Sequence, residues 1–354
     1  MSTIDTLSTP AVLIDLDRVE ANLKRAQDYA DAHGLPLRPH IKTHKLPRFA
    51  RRQIELGAAG IACQKLGEAE VMADAGLDDI LIPYNILGEE KLGRMKALAR
   101  RIRLRVCADS RTTIEGYARA MRGEPAPLGV LVECDTGMGR CGVQTPEEAL
   151  ALARAIDAAP DLSFDGLMTY PPAGRIDEAA EWLGKAVELL AAAGLPARIV
   201  SSGGTPDLWS AHKVSVATEH RPGTYIYLDL SQVKAGVGTV SDCALTVLAT
   251  VVSRPTPNRA IIDAGSKTLT SDTLGLEGFG LILEAPDARI VSLSEEHGTV
   301  LLPDGQADRL KVGDRVRIVP NHACPVSNLF DTVYLVSGTT VVAEEPVAAR
   351  GKVT

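Results

Sequence analysis

The chain has 354 residues, beyond the ~250–300 at which a single hydrophobic core usually stops growing, so a large domain with a smaller companion is expected. Its 45% hydrophobic and 23% charged residues describe an ordinary globular protein. A net charge of −7 leaves no basic excess to attract phosphates, which argues against a nucleic-acid partner. No run of about 18 apolar residues offers a membrane span.

The residues up to Pro10 lack the charged-then-apolar order of a secretory signal. The six cysteines are scattered without a CxxC pair, as suits reduced thiols, so a cytoplasmic location is expected. Residues 11–16 read as a strand. Residues 17–33 follow as a helix, apolar at Val19, Leu23, Ala26, Tyr29 and Ala30, with Gly34 and Pro36 as punctuation. Further strands are predicted at 37–41, 60–63, 80–83, 104–108, 129–134, 166–170 and 199–202, with helices at 68–75, 90–101, 146–158 and 179–193. Such alternation means a parallel sheet. About eight such strand–helix units fit a closed (β/α)8, TIM-type barrel, with an open doubly wound sheet as the alternative. Beyond residue 235 short strand-like runs dominate, at 244–253, 259–263, 288–293, 299–302, 315–320, 331–336 and 339–343. The expected organisation is an α/β chain: a barrel over residues 1–235, then a β-rich C-terminal domain over 236–354.

Lys42 falls at the carboxyl end of a predicted barrel strand, where barrel enzymes place reacting groups. Arg38, His40, His44 and Lys45 make its surroundings cationic, a setting that activates an amine; a solvated basic loop is the plainer reading. Lys45, expected to be helical, is the decoy amine. Gly203-Gly204-Thr205 and Arg221-Pro222-Gly223-Thr224-Tyr225 could wrap an anion with backbone amides, or be simple strand-to-helix turns. Neither matches GxGxxG or GxxxxGK[ST], so nucleotide binding lacks its usual support. Gly137, Gly139 and Gly142 surround Arg140, which points either to a charge held in a cleft or to a tight turn with a surface arginine. His322-Ala323-Cys324, if extended, projects two ligands to one face and could grip a divalent metal. Asn321, Asn328 and Asp331 are candidate outer partners, and Glu295-Glu296-His297 could add a ligand. Without a third ligand in the spacing, a chance pair is the competing reading.

Together these motifs resemble the fold-type III pyridoxal-phosphate enzymes of the D-threonine aldolase and D-serine dehydratase group, relatives of alanine racemase. The resemblance rests on residues 9–16, 38–45 and 63–69, and on Gly139-Arg140-Cys141-Gly142 and Gly203-Gly204-Thr205. It continues through Ile262-Asp263-Ala264-Gly265, Glu296-His297-Gly298 and Pro320-Asn321-His322-Ala323-Cys324, and so covers nearly the whole chain. It implies that Lys42 is the Schiff-base lysine for pyridoxal 5'-phosphate, with His40, Arg140 and Tyr170 beside the cofactor. It also implies phosphate binding by Gly203, Gly204, Thr205, Gly223 and Tyr225, and a divalent metal (zinc, manganese, cobalt or magnesium) on His322 and Cys324. The implied assembly is a homodimer, and the implied substrate a small D-β-hydroxy-α-amino acid.

Two outcomes compete. Cys63-Gln64-Lys65 and the opening helix look like the aldolases, which puts cleavage to glycine and an aldehyde first. His-x-Cys, where aldolases carry His-x-Asp, looks like the dehydratases, which release ammonia and a 2-oxo acid. An amino-acid racemase and a non-catalytic cofactor carrier are more remote. Pro171-Pro172 follows Tyr170 where relatives carry a histidine, so a usual acid/base is missing there.

Overall fold

The computed structural model describes residues 2–306 and 308–354. Contacts divide the chain into two compact units. One comprises Arg25–Lys42, Pro47–Gly223 and Lys352–Thr354; the other comprises the N-terminal residues through Lys24, Thr43–Leu46 and Thr224–Gly351. Strand β1 (Ala11–Asp15) and helix α1 (Leu16–His33) open the chain.

In the first unit seven parallel strands lie side by side in sequence order. They are β2 (Ile61–Ala62), β3 (Asp79–Ile82), β4 (Arg103–Ala108), β5 (Leu128–Cys134), β6 (Leu162–Thr169), β7 (Ile199–Ser202) and β8 (Glu219–His220). Leu37 bridges to His220 and His40 to Ala62, both in parallel, so residues 37–40 close the ring as its remaining stave. The helices between strands are α2 (Pro47–Glu55), α3 (Leu66–Asp74), α4 (Glu89–Ala99), α5 (Arg111–Met121), α6 (Pro146–Asp157) and α7 (Ile176–Ala192). Helix α6 starts on a capping box, Thr145 accepting from the Glu148 N–H and the Glu148 carboxylate from the Thr145 N–H, with Pro146 in the first turn. Leu81, Cys107, Leu131 and Met168, one from each of β3 to β6, pack together with Ile199 of β7. Because side chains alternate along a strand, Asp109, Glu133, Tyr170 and Ser201 follow on that same face, toward the carboxyl ends.

The barrel forms as expected, with one exchange of staves. The strand predicted at 11–16 is real, but it pairs antiparallel with β9 (Leu245–Thr256) and parallel with β15 (Thr332–Ser337). The barrel's last place goes to β8, whose Glu-His sequence carries no apolar signal. Its polarity is satisfied inside the barrel wall: buried Arg38 donates to Glu219 at 2.7 Å and to Asp79 at 2.7 Å, and Ser201 donates to Glu219.

The second unit holds a nine-stranded mixed sheet, ordered β12-β13-β10-β9-β1-β15-β16, with β14 joining β9 to β11. The remaining strands are β10 (Arg259–Ile262), β11 (Leu281–Ile282), β12 (Arg289–Leu293), β13 (Gly298–Leu301), β14 (Arg315–Val319) and β16 (Thr340–Pro346). Three short helices accompany them: α8 (Leu230–Lys234), α9 (Ser266–Leu269) and α10 (Ala323–Leu329). Among the described residues no helix is long and apolar enough to cross a membrane.

Candidate active site

Lys42 lies in a single 3-10 turn, Ile41–Thr43, directly after the closing stave of the barrel. It is half-buried, and its ammonium makes no hydrogen bond among the described residues. Its backbone N–H donates to His40 Nδ1 at 3.3 Å, and His40 Nε2 lies 3.0 Å from the Gln64 side-chain oxygen. The cationic setting expected around Lys42 is not built as the sequence suggested. Arg38 spends its charge on Glu219 and Asp79, and Lys45 is no helical residue: at φ +56° it turns its amine to the Ala349 carbonyl.

The glycine turn after β7 is shaped by aromatic neighbours. Gly203 sits at φ +89°, and a Cβ there would run into the His220 ring. A Cβ on Gly204 would meet Tyr170 Cε2 at 2.6 Å. His220 Nε2 donates to the Gly204 carbonyl at 3.1 Å, and burial, reinforced by Arg221, pushes the His220 pKa down to about 4, so the ring is neutral. Thr205 accepts the Gly223 N–H at 3.0 Å, which ties the two expected phosphate turns together. Tyr225 falls in the other unit, in the turn Thr224–Ile226. The cradle of backbone and a hydroxyl suits a phosphate, and an amine without a hydrogen bond among the described residues, at a strand's carboxyl end, suits an aldehyde cofactor.

The loop after β5 is a tight turn organised by Asp135, whose carboxylate accepts the N–H groups of Gly137 and Gly139 at 2.9 and 3.0 Å. Arg140 is exposed rather than sunk in a cleft, with its guanidinium 5.2 Å from the Tyr170 ring centre. The sequence reading missed Glu133. Its carboxylate, an Asp109 oxygen and Cys141 Sγ all lie within 4.8 Å of one another. Burial first, then the Asp109 charge, raise the Glu133 pKa to about 7 against the pull of Arg140 and Arg221. Its signal was a lone carboxylate in an otherwise apolar strand.

In the second unit, His322 and Cys324 come together, though only His322 keeps extended backbone. His322 is the N-cap of α10 and Cys324 lies in its first turn. The Cys324 side chain lies close enough to favour the charged form of the His322 ring. His322 Nδ1 lies 2.8 Å from Asp272 Oδ2. Burial alone would lower the His322 pKa, but the hydrogen bond and charge of Cys324, with Asp272 and Asp229, outweigh it and raise it to about 9. Cys324 Sγ is 3.1 Å from the hydroxyl of Thr43, the residue after Lys42, and 3.5 Å from that of Thr224. Buried Asp229 accepts the Ala323 N–H at 2.8 Å. The donor set, an imidazole and a sulfur side by side at the start of α10, fits a divalent ion.

The outer partners expected from sequence are engaged elsewhere. Asn321 donates to the Gly278 carbonyl, Asn328 accepts the Gly351 N–H, and Asp331 pairs with Arg350. Glu295 and Glu296 both pair with Lys267. Asp272, 50 residues from His322, is the carboxylate that the sequence did not reveal.

The family model described as alanine racemase, N-terminal domain, matches residues 14–231, and a serine dehydratase domain model matches 244–336. This chain belongs to the D-threonine aldolase and D-serine dehydratase group of fold-type III pyridoxal-phosphate enzymes. A D-threonine aldolase from Arthrobacter sp is 35% identical over 98% of this chain and 93% of its own length. A 3-hydroxy-D-aspartate aldolase from Paracoccus denitrificans (strain Pd 1222) is 33% identical with the same coverage. A D-threo-3-hydroxyaspartate dehydratase from Delftia sp. (strain HT23) is 33% identical over 93% of this chain and 94% of its own. Among solved structures, a D-threonine aldolase from Filomicrobium marinum superposes with a TM-score of 0.92 at 34% identity, covering 99% of this chain and 98% of that one. A D-threo-3-hydroxyaspartate dehydratase variant in a metal-free form superposes with a TM-score of 0.88 at 32% identity, covering 98% and 99%.

Proposed function

We propose that this chain is a pyridoxal-phosphate- and divalent-metal-dependent lyase that cleaves D-β-hydroxy-α-amino acids to glycine and an aldehyde. The observation that carries the reading is full-length similarity to two aldolases, joined to the placing of His322 and Cys324 side by side at the start of α10. A related dehydratase described in a metal-free form supports the metal.

In this reading Lys42 would hold the cofactor through its amine, with the Gly203-Gly204-Thr205 and Gly223 turns and Tyr225 at the phosphate. His40, Arg140 and Tyr170 would flank the ring. His322 and Cys324 would hold the metal, and the sulfur favours zinc while leaving room for manganese, cobalt or magnesium. When bound, the cofactor supplies an electron sink at Cα and the metal a Lewis acid for the substrate's β-oxygen. The β-hydroxyl gives up its proton, the Cα–Cβ bond breaks with its electron pair passing to Cα, and Cα then takes a proton to become glycine. Lys42 would be this chain's own group to take the hydroxyl proton and to return one to Cα. By the same resemblance we read the protein as a homodimer, and from its scattered cysteines, without a CxxC pair, as cytoplasmic.

Dehydration is the second reading, favoured by the thiol of Cys324 and by the Delftia relative. There Cα loses its proton, the β-hydroxyl leaves as water, and hydrolysis releases ammonia and a 2-oxo acid. Product analysis with D-threonine, D-serine and D-threo-3-hydroxyaspartate separates the two. Glycine with an aldehyde is the expected result, and ammonia with a 2-oxo acid reverses the order. As a control, Lys42→Ala should remove the cofactor's visible absorption band.

A further inference from the structure

We propose that Asp272 is a positioning residue that fixes the His322 ring for its metal, and that the strained turn around Asp272 serves to hold it there. The inference rests on the metal reading of His322 and Cys324 given above. Asp272 Oδ2 meets His322 Nδ1 at 2.8 Å. A carboxylate on Nδ1 keeps the proton on that nitrogen, so the lone pair of a neutral ring resides on Nε2, available to a cation together with the sulfur of Cys324. Without this partner the ring could rotate or change tautomer and present either nitrogen.

The turn carrying Asp272 is built at a cost. Thr270 at φ +64° and Leu274 at φ +50°, placed symmetrically two residues before and after it, are both left-handed without being glycine. Leu274 is 47% exposed, so burial of its side chain does not compensate for the conformation. Strain of this kind persists where surrounding contacts impose it, and here those contacts close on Asp272, through its backbone N–H and its carboxylate. The Asp272 N–H donates to the Thr270 hydroxyl at 3.2 Å, and Asp272 Oδ1 accepts the Leu274 N–H at 3.4 Å, while Oδ2 serves His322. One side chain therefore closes the turn and orients the ring. On the other side of the pair, Asp229 anchors the Ala323 N–H, so the ligand-bearing end of α10 is gripped from two directions.

The test uses full-length protein stripped of metal and titrated with Co(II), reading the thiolate-to-cobalt charge-transfer absorption. Wild type should develop the band, and His322→Ala and Cys324→Ala should each lose it. A wild type without the band removes the metal reading itself. With that band present, Asp272→Ala should bind Co(II) about 10- to 100-fold more weakly, the usual effect of losing such a partner, while its far-UV circular dichroism stays unchanged. Asp272→Ser keeps a hydroxyl able to close the turn but is too short to reach the ring. It covers the case in which the alanine variant does not fold, and the same weakening is expected. Co(II) affinity within about twofold of wild type in a folded variant would overturn the proposal, since 10-fold is the smallest expected effect.

Discussion

Glu133 carries an electrostatic cost that can be measured without cofactor or substrate. Strand β5 is buried from end to end, and its one carboxylate is forced beside that of Asp109. Its pKa of about 7 in the folded protein compares with an ordinary 4.5. Below about pH 4.5 both folded and unfolded chains hold the proton, and nothing is lost. As pH rises through 4.5 the unfolded chain ionises first, and once pH passes 7 the whole difference, up to about 3 kcal/mol, weighs against folding. Glu133→Gln should therefore stabilise the cofactor-free protein above pH 7 and leave it unchanged below pH 4.5, as read from urea denaturation at a series of pH values. A difference that stays constant with pH would mean that Glu133 is not the titrating group. Placements that depend on neighbouring residues were legible from sequence: Lys42 after its stave, and Gly203 and Gly204 after β7. Asp272, Asp229 and the pairing of Arg38 were not, because each acts on a group tens of residues away that only the folded chain brings within 3 Å.

Helix α10 shows the same limit one level up. His-Ala-Cys-Pro reads as extended chain, since proline breaks helix interiors, yet Pro325 sits in the first turn, where its missing N–H costs nothing. The N-cap residue His322 makes no capping bond of its own, because its ring is turned to Asp272. The acceptor comes instead from Asp229, which caps α8 through the Gln232 N–H and reaches α10 through the Ala323 N–H. One fully buried carboxylate thus starts two helices. Asp229→Ala should cost about 1–3 kcal/mol, seen as a lowered thermal midpoint, and should weaken Co(II) binding as the His322–Cys324 geometry loosens. An unchanged midpoint with unchanged Co(II) affinity would mean that α10 is held by packing alone. Elsewhere the elements were readable where the pattern was strong, as in α6 with its capping box. Helix α5 was passed over although Ile114, Tyr117 and Met121 lie on one buried face behind the Ser110 cap.

At the scale of the molecule, the N-terminal strand carries the least expected role. β1 lies between β9 and β15, central in the mixed sheet, and its first four residues are buried. Deleting the chain through Asp15 would leave both neighbours with unpaired edges and exposed apolar faces. The expected outcome is insoluble protein or lost cooperativity in unfolding; a soluble, cooperatively folding deletion would show that the sheet closes without it. Strand–helix alternation, the glycine turns, Lys42 and the His-x-Cys spacing were enough, from sequence alone, to define the barrel, the β-rich remainder and the family, because each is written within a few neighbouring residues. Tertiary structure decided the rest: that β1 leaves the barrel for the mixed sheet, that Glu219-His220 takes the last barrel place, and that Asp272 steers His322. A short apolar run satisfies a barrel or a mixed sheet equally well, and a polar strand looks like a loop until Arg38 is seen to neutralise it. The choice in each case lies in which distant partner completes the hydrogen bonds.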